Sequence, residues 1–300
     1  MSPLQVLCAV LVPLIWGVQY AIIKVGLAAF PPLFFVGLRF AVVSAALMPF
    51  VGRPTKRELG AFFVISIFIG GLNFGLVFVG LTQAPASVTG IANQLWSPFT
   101  LVLAWPLLGE RPPLRVVLGV LIALAGVTLA VADPEVAIPV VPTLFVVGSA
   151  LALAAGSVLA KRYGPFDPMK LMAWMSLFTV PQVLVVSAIT EAGQMTALST
   201  AGLSAWLSFA YTVILGGIVG FGLWFWLVAR CSMARVAPYT LLQGAFAVTA
   251  GVIFRNEPLT ATLVAGATIC IAGVAITQRR SLTLRGEPAA ASAPAVKAGS

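Results

Sequence analysis

Apolar residues run along this chain in blocks of helix-spanning length, separated by short polar or Pro/Gly-containing breaks, from the first residues to about position 280. Roughly 20 helical residues cross a hydrocarbon layer about 30 Å thick. The blocks therefore predict ten membrane-spanning helices, over 4–23, 33–50, 60–80, 86–108, 114–132, 142–160, 170–188, 206–228, 236–254 and 260–278. Strand-like alternation is absent, so of the two structures that satisfy their backbone in lipid, helix and closed barrel, the pattern selects helix. The expected fold class is an all-α integral membrane protein.

The fourth block is interrupted by polar groups. Residues 91–99 read IANQLWSPF, with Asn93, Gln94, Trp96 and Ser97 placed just before the helix-breaking Pro98. Asn93, Ser97 and Thr100 follow i, i+4, i+7 and share one helical face, with Gln94 flanking it. In the ninth block Tyr239 and Gln243 are spaced i, i+4, and Ala247 and Ala250 continue that stripe. Uncharged amides and hydroxyls suit the two ends of a zwitterion without the cost of embedding a permanent charge. Their alternative use is hydrogen bonding between neighbouring helices.

The two polar blocks correspond to each other. Residues 73–127 overlay 220–274 with a shift of 147 and no gap: Asn73-Phe74-Gly75-Leu76-Val77-Phe78 falls on Gly220-Phe221-Gly222-Leu223-Trp224-Phe225, Glu110 on Glu257, Gly119 on Gly266 and Ala125-Gly126-Val127 on Ala272-Gly273-Val274. A shared acid and spaced glycines in one register indicate an internal duplication. Each half holds five helices, so the second half enters the membrane in the opposite sense and the repeat is inverted, an arrangement typical of secondary transporters. The expected organisation is a first repeat over 1–135, a second over 136–280, and a disordered tail over 281–300, whose Ala/Pro/Ser/Gly composition cannot bury a core.

Composition agrees with lipid as the solvent, since 60% of residues are hydrophobic and only 8% charged. The net charge of +9 would suggest nucleic acid in a soluble protein, but the basic residues, Arg39 in the second helix aside, are dispersed among short loops and the tail. With the N-terminus inside, inner loops and the tail hold Arg53, Lys56, Arg57, Arg111, Arg115, Lys161, Arg162, Lys170, Arg230, Arg235, Arg279, Arg280, Arg285 and Lys297, and the outer loops only Lys24 and Arg255. That bias predicts both termini in the cytoplasm. The first block lacks a basic n-region and a small-residue cleavage site, so it is expected to remain in the mature chain. Cys8, Cys231 and Cys270 are scattered and His is absent, which predicts no disulfide framework, metal or cofactor.

The motifs resemble a known family. Trp16-Gly17 in the first helix, Leu38-Arg39-Phe40 in the second, Gly109-Glu110 at the end of the fourth with Asn256-Glu257 in the second half, and the glycine-rich AGV helices that follow look like the EamA branch of the drug/metabolite transporter superfamily. The resemblance covers residues 1–280 and is strongest to bacterial inner-membrane exporters of aromatic and other neutral amino acids, the YddG type. It departs where Ala245 stands opposite Pro98 and Asn256 opposite Gly109. The resemblance implies a small-molecule substrate, amino acids, moved outward by alternating access. Other small amphiphilic metabolites or drugs are the alternative cargo, and a gated pore or membrane assembly factor the alternative class.

All eight acids, Glu58, Glu110, Asp133, Glu135, Asp167, Glu191, Glu257 and Glu287, map to loops or helix ends. Proton-coupled carriers place such groups in the membrane as relays, so transport without proton coupling is expected. No carboxylate pair, activated nucleophile or phosphate-cradling loop occurs where chemistry could use it, which argues against an enzyme. The candidate substrate-binding residues are Asn73, Asn93, Gln94, Trp96, Ser97, Tyr239, Gln243, Trp16 and Gln19. Trp96 and Trp16 would form an apolar wall for large side chains. Arg39, six residues into its helix and about 9 Å down, is expected to snorkel outward to backbone carbonyls or lipid, with a substrate carboxylate as the other partner. Lys24 reads as an interfacial anchor. The partners expected are substrate and the lipid bilayer, with no nucleic acid and a monomer as the simplest assembly.

Overall fold

The computed structural model describes residues 1–132, 138–231 and 233–278; Asp133, Glu135, Glu287, the tail 281–300 and its basic residues lie outside them, as does Arg279. Among the described residues the chain is a helical bundle with ten membrane crossings. Six are single helices: α1 (Pro3–Leu27), α2 (Pro32–Leu47), α7 (Leu114–Val131), α8 (Val140–Tyr163), α9 (Pro168–Thr190) and α15 (Ala261–Gln278). Two more are long helices with a π-helical middle. One runs α3 (Lys56–Ile65), a π stretch Ser66–Phe74 and α4 (Gly75–Leu81); the other runs α11 (Leu203–Ala210), a π stretch Tyr211–Val219 and α12 (Gly220–Arg230). These eight crossings are each long and apolar enough to span a membrane. The last two are each split in half, α5 (Ala86–Asn93) with α6 (Trp96–Leu108), and α13 (Met233–Thr240) with α14 (Leu242–Arg255). A short helix α10 (Gln194–Thr200), which the hydrophobic pattern does not predict, is tied to the end of α9 by the Gln194 amide, whose Nε2 donates to the carbonyls of Ser187 and Glu191 at 3.0 Å each.

Local signals place the helix ends. Ser2 and Gln5 form a capping box ahead of α1, with Pro3 in the first turn, and Thr55 and Glu58 form another ahead of α3. The duplication is visible in the backbone. Gly109 (φ 75°) ends α6 and Asn256 (φ 52°) ends α14, both left-handed and 147 residues apart. Beyond each, the acid's amide reaches back six residues, Glu110 N–H to Ala104 O at 3.3 Å and Glu257 N–H to Gly251 O at 3.2 Å. This is the Schellman closure, and Asn tolerates the left-handed region better than other non-glycine residues. The substitution of Asn256 for Gly therefore keeps the conformation.

The two repeats meet where α7 packs against α15. A Cβ at Gly126 would overlap the backbone N of Cys270 and lie 2.7 Å from Gly266 O; a Cβ at Gly273 would overlap Ala123 N and lie 2.7 Å from Gly119 O. In the 147-residue register Gly126 corresponds to Gly273, Ala123 to Cys270 and Gly119 to Gly266. The contact is therefore self-complementary, as an inverted pair related by a two-fold axis requires. Lipid gives helices no hydrophobic reason to associate, so backbone-to-backbone approach at small residues supplies the packing.

An aromatic core closes the face opposite the N-terminus. The Phe35 ring is fully buried and lies 5.5 Å from Phe30, 5.5 Å from Phe78 and 5.7 Å from Phe209, drawing α2, α4 and α11 together.

Candidate functional site

The two split helices cross near their breaks. Pro98 lies in the first turn of α6; it lacks an N–H and its ring crowds the carbonyl four residues back, Gln94. The chain tightens there into i→i−3 bonds, Gln94 N–H to Ile91 O and Leu95 N–H to Ala92 O, both 3.1 Å. The second half breaks at the equivalent place without a proline at 245, the Leu241 N–H turning back to Pro238 O at 3.3 Å. The Gln94 amide bridges the two breaks, its Nε2 donating to Thr240 O (3.2 Å) and Leu241 O (3.0 Å). Thus Gln94 satisfies backbone at the discontinuity of the partner repeat.

The breaks also correct the expectation of continuous polar faces. Asn93 belongs to α5 whereas Ser97 and Thr100 belong to α6, and Tyr239 and Gln243 fall on opposite sides of Leu241. The turns forced at these positions interrupt the i, i+4, i+7 stripes. Thr100 Oγ1 turns back to Trp96 O at 2.7 Å.

Helix α1 runs between the second split helix and the second π stretch. On one side Gly17 meets the backbone, a Cβ there lying 2.6 Å from Gln243 O, and the Gln243 Nε2 donates to the Tyr20 hydroxyl at 3.1 Å. On the other side Trp16 Nε1 donates to Gly216 O at 3.1 Å, and Gln19 packs on the same glycine. The structure thus sets Trp16 and Gln19 on one side of α1 and Gln243 on the other, with Gln94 beyond it at the break of the second split helix. Trp16 also stacks on Phe221 and Trp224, at 5.1 and 6.0 Å, and Tyr239 packs against this apolar cluster. Asn93 is buried, while Trp96 and Ser97 are half-buried. Asn73 is turned elsewhere, its Nδ2 donating to Ser149 O of α8 at 2.9 Å.

Arg39 corrects a second expectation. It does not snorkel: the residue is 2% exposed and stands within α2, whose helical span continues through the short turn Met48–Phe50. The expected backbone-carbonyl partner is present, but inside the bundle: the Arg39 Nε donates to Thr212 O in the second π stretch at 3.3 Å, and its guanidinium carbon lies 4.2 Å from the Phe74 ring centroid. Tyr20 and Thr212 were not among the candidates; neither stands out from its apolar block, because what distinguishes them is a partner over 170 residues away.

The acids among the described residues sit at helix ends or loops. Glu257 accepts from the first amides of α5, Ala86 N–H at 2.6 Å and Ser87 N–H at 2.9 Å, where the positive end of the helix dipole favours a carboxylate. Lys24, near the same face, donates to Ala84 O at 2.7 Å. Glu191 likewise receives Leu33 and Phe34 N–H at the start of α2. Glu110, the counterpart of Glu257, is instead exposed and pairs with Lys161 at 2.7 Å. Equivalent carboxylates therefore hold different partners on the two faces.

The chain matches the model of the EamA-like transporter family over residues 3–132 and again over 141–279. A relative from Escherichia coli (strain K12), named "Probable amino-acid metabolite efflux pump", is 28% identical over 277 residues, covering 89% of this chain and 92% of that protein. "Uncharacterized transporter YvbV" of Bacillus subtilis (strain 168) is also 28% identical over 277 residues, covering 89% of each. A solved crystal structure matches with a TM-score of 0.60 at 19% identity, covering 92% of this chain and 98% of that one, which is a likeness of fold.

Proposed function

We propose that this chain, which belongs to the EamA-like transporter family, exports amino acids with neutral and aromatic side chains from the cytoplasm by alternating access, without proton coupling. As a member of that family it is a multi-pass membrane transporter rather than an enzyme. The amino-acid cargo is supported by the naming of the Escherichia coli relative and by the uncharged polar groups gathered around α1. The reading of a proton-independent carrier rests on the acids, which among the described residues all lie at helix ends or loops.

The observation that carries alternating access is the unequal state of the paired carboxylates. Glu257 clamps the N-terminus of α5 on the face opposite the N-terminus of the chain, while Glu110 is released to Lys161 on the near face. The region 86–95 is buried throughout. We read this as a state closed on the Glu257 face, with Asn93, Trp96 and Ser97 lining the path from the Glu110 face. The charge bias of the loops supports a cytoplasmic Glu110 face and cytoplasmic termini. Repeats over 1–135 and 136–280 fit the same reading.

Purified protein in liposomes preloaded with phenylalanine is expected to show saturable counterflow of neutral and aromatic amino acids and little of charged ones. An imposed pH gradient should change the initial rate less than twofold and drive no uphill accumulation. Gln94→Ala and Gln243→Ala should each lower flux severalfold while leaving the protein folded. A folded protein that passes no amino acid in the panel would sink the cargo reading, and pH-driven accumulation would sink the coupling.

A further inference from the structure

Two buried polar groups that the transport path described above does not use flank one short segment of backbone. Arg39 makes one side-chain hydrogen bond, Nε to Thr212 O, and its guanidinium lies 4.2 Å from the Phe74 ring centroid and 5.5 Å from that of Phe40. Its Nη1, fully buried, has no partner. The ion pairs found among the described residues, Lys161–Glu110 and Lys170–Glu58, both lie at the membrane face that carries the chain's N-terminus, so neither neutralises it. Opposite stands Gln19, 8% exposed, whose Oε1 is likewise buried without a partner.

These groups converge on consecutive glycines of the second π stretch. A Cβ at Gly216 would overlap Gln19 Oε1, and a Cβ at Gly217 would lie 4.0 Å from Arg39 Nη2. The two glycines are consecutive, so a bare acceptor and an uncompensated cation border the same turn of the second π stretch. A buried charge without a counterion is costly, and intramembrane ionisable residues are retained where a pathway needs them. Phe74 and Phe40 lower the cost through their ring faces but supply no anion.

We propose that Arg39 and Gln19 form the receptor for the head of a zwitterionic substrate, Arg39 taking the α-carboxylate and Gln19 Oε1 the α-ammonium. This rests on the amino-acid reading above and adds which residues recognise the charged end. The guanidinium fork presents paired donors that match a carboxylate, and the amide oxygen is a neutral acceptor suited to an ammonium that must later leave. The side chain of the substrate then extends toward Trp16, whose Nε1 holds the same glycine pair at Gly216 O. Both groups are covered in the state described, so the head group is engaged once the second π stretch moves against α1 and α2.

The test uses the full-length protein and three matched probes: phenylalanine, phenethylamine, which lacks the carboxylate, and 3-phenylpropionate, which lacks the ammonium. Counterflow and thermal stabilisation in detergent are both measured. Arg39→Gln is expected to weaken phenylalanine and 3-phenylpropionate at least tenfold and phenethylamine less than twofold; Arg39→Lys should recover part of the loss. Gln19→Leu should weaken phenylalanine and phenethylamine but spare 3-phenylpropionate. Equal losses for all three probes, or none, in folded variants would overturn the assignment. Should Arg39→Gln not fold, the wild-type protein decides, because equal stabilisation by phenylalanine and phenethylamine also overturns it. A wild-type protein that carries no amino acid yet is stabilised selectively by the carboxylates would refute the cargo reading and keep the receptor.

Discussion

Glu257→Ala is expected to open the face opposite the N-terminus and to cut counterflow by about tenfold or more. The carboxylate accepts two backbone N–H groups at the start of α5, at 2.6 and 2.9 Å. Hydrogen bonds to a charged group contribute roughly 1.5–3 kcal/mol each, and losing even one at the low end moves a two-state equilibrium by about a factor of ten. Gly251 offers an independent way to break the same contact, since a Cβ there would overlap Glu257 Oε2. Gly251→Ala keeps the charge but displaces it and should act in the same direction. In a Cys231→Ser background, Ser87→Cys is 1% exposed at its native position and should react slowly with an impermeant maleimide, then at least tenfold faster when Glu257→Ala is added. Unchanged labelling and unchanged flux would remove the carboxylate from the gating mechanism. Glu257→Gln, which retains an acceptor without the charge, should fall between.

Gly126→Leu carries the largest expected cost in stability. The new side chain would drive into the backbone of Cys270 and Gly266, which has no rotamer to escape by. Overpacking costs about 1–3 kcal/mol in cores that can adjust, and more where they cannot; for a chain of this size an unfolding midpoint lower by about 5 °C or more follows. Gly273→Leu should behave alike, because the two positions are equivalent in the repeat and meet equivalent atoms. Gly60→Leu, where nothing lies within 4 Å, is the control expected to leave the midpoint unchanged. Thermal unfolding in detergent checks all three, and a midpoint for Gly126→Leu no lower than that of the control would contradict self-complementary packing of α7 on α15.

What could be read from one dimension was local or periodic. The apolar blocks located the ten crossings, because a helix in lipid must be apolar over its whole span. The 147-residue register pairs Gly109 with Asn256 and Glu110 with Glu257, and the left-handed turns fall on that register because each repeat solves its helix end in the same way. IANQLWSPF announced a discontinuity, and Pro98 explains why the break falls at Gln94 and Leu95. Arg39 was misplaced because distance from the block edge gives depth but not the face of the helix: the side chain turns into the bundle, where Thr212 O receives it.

Partnership was decided only in three dimensions. Gln94 meets the carbonyls of Thr240 and Leu241, Gln243 meets Tyr20, and Asn73 meets Ser149, each across separations that helical periodicity does not reach. Symmetry-related residues also receive unlike partners, Glu257 the amides of α5 and Glu110 the ammonium of Lys161. The sequence by itself determined the apolar crossings and the duplication, since these follow from hydrophobicity and a repeated register; it marked the first break through Pro98 but not the second. Which polar group answers which was left to the tertiary structure, because partners come from distant parts of the chain and the two inverted repeats hold equivalent side chains in inequivalent surroundings.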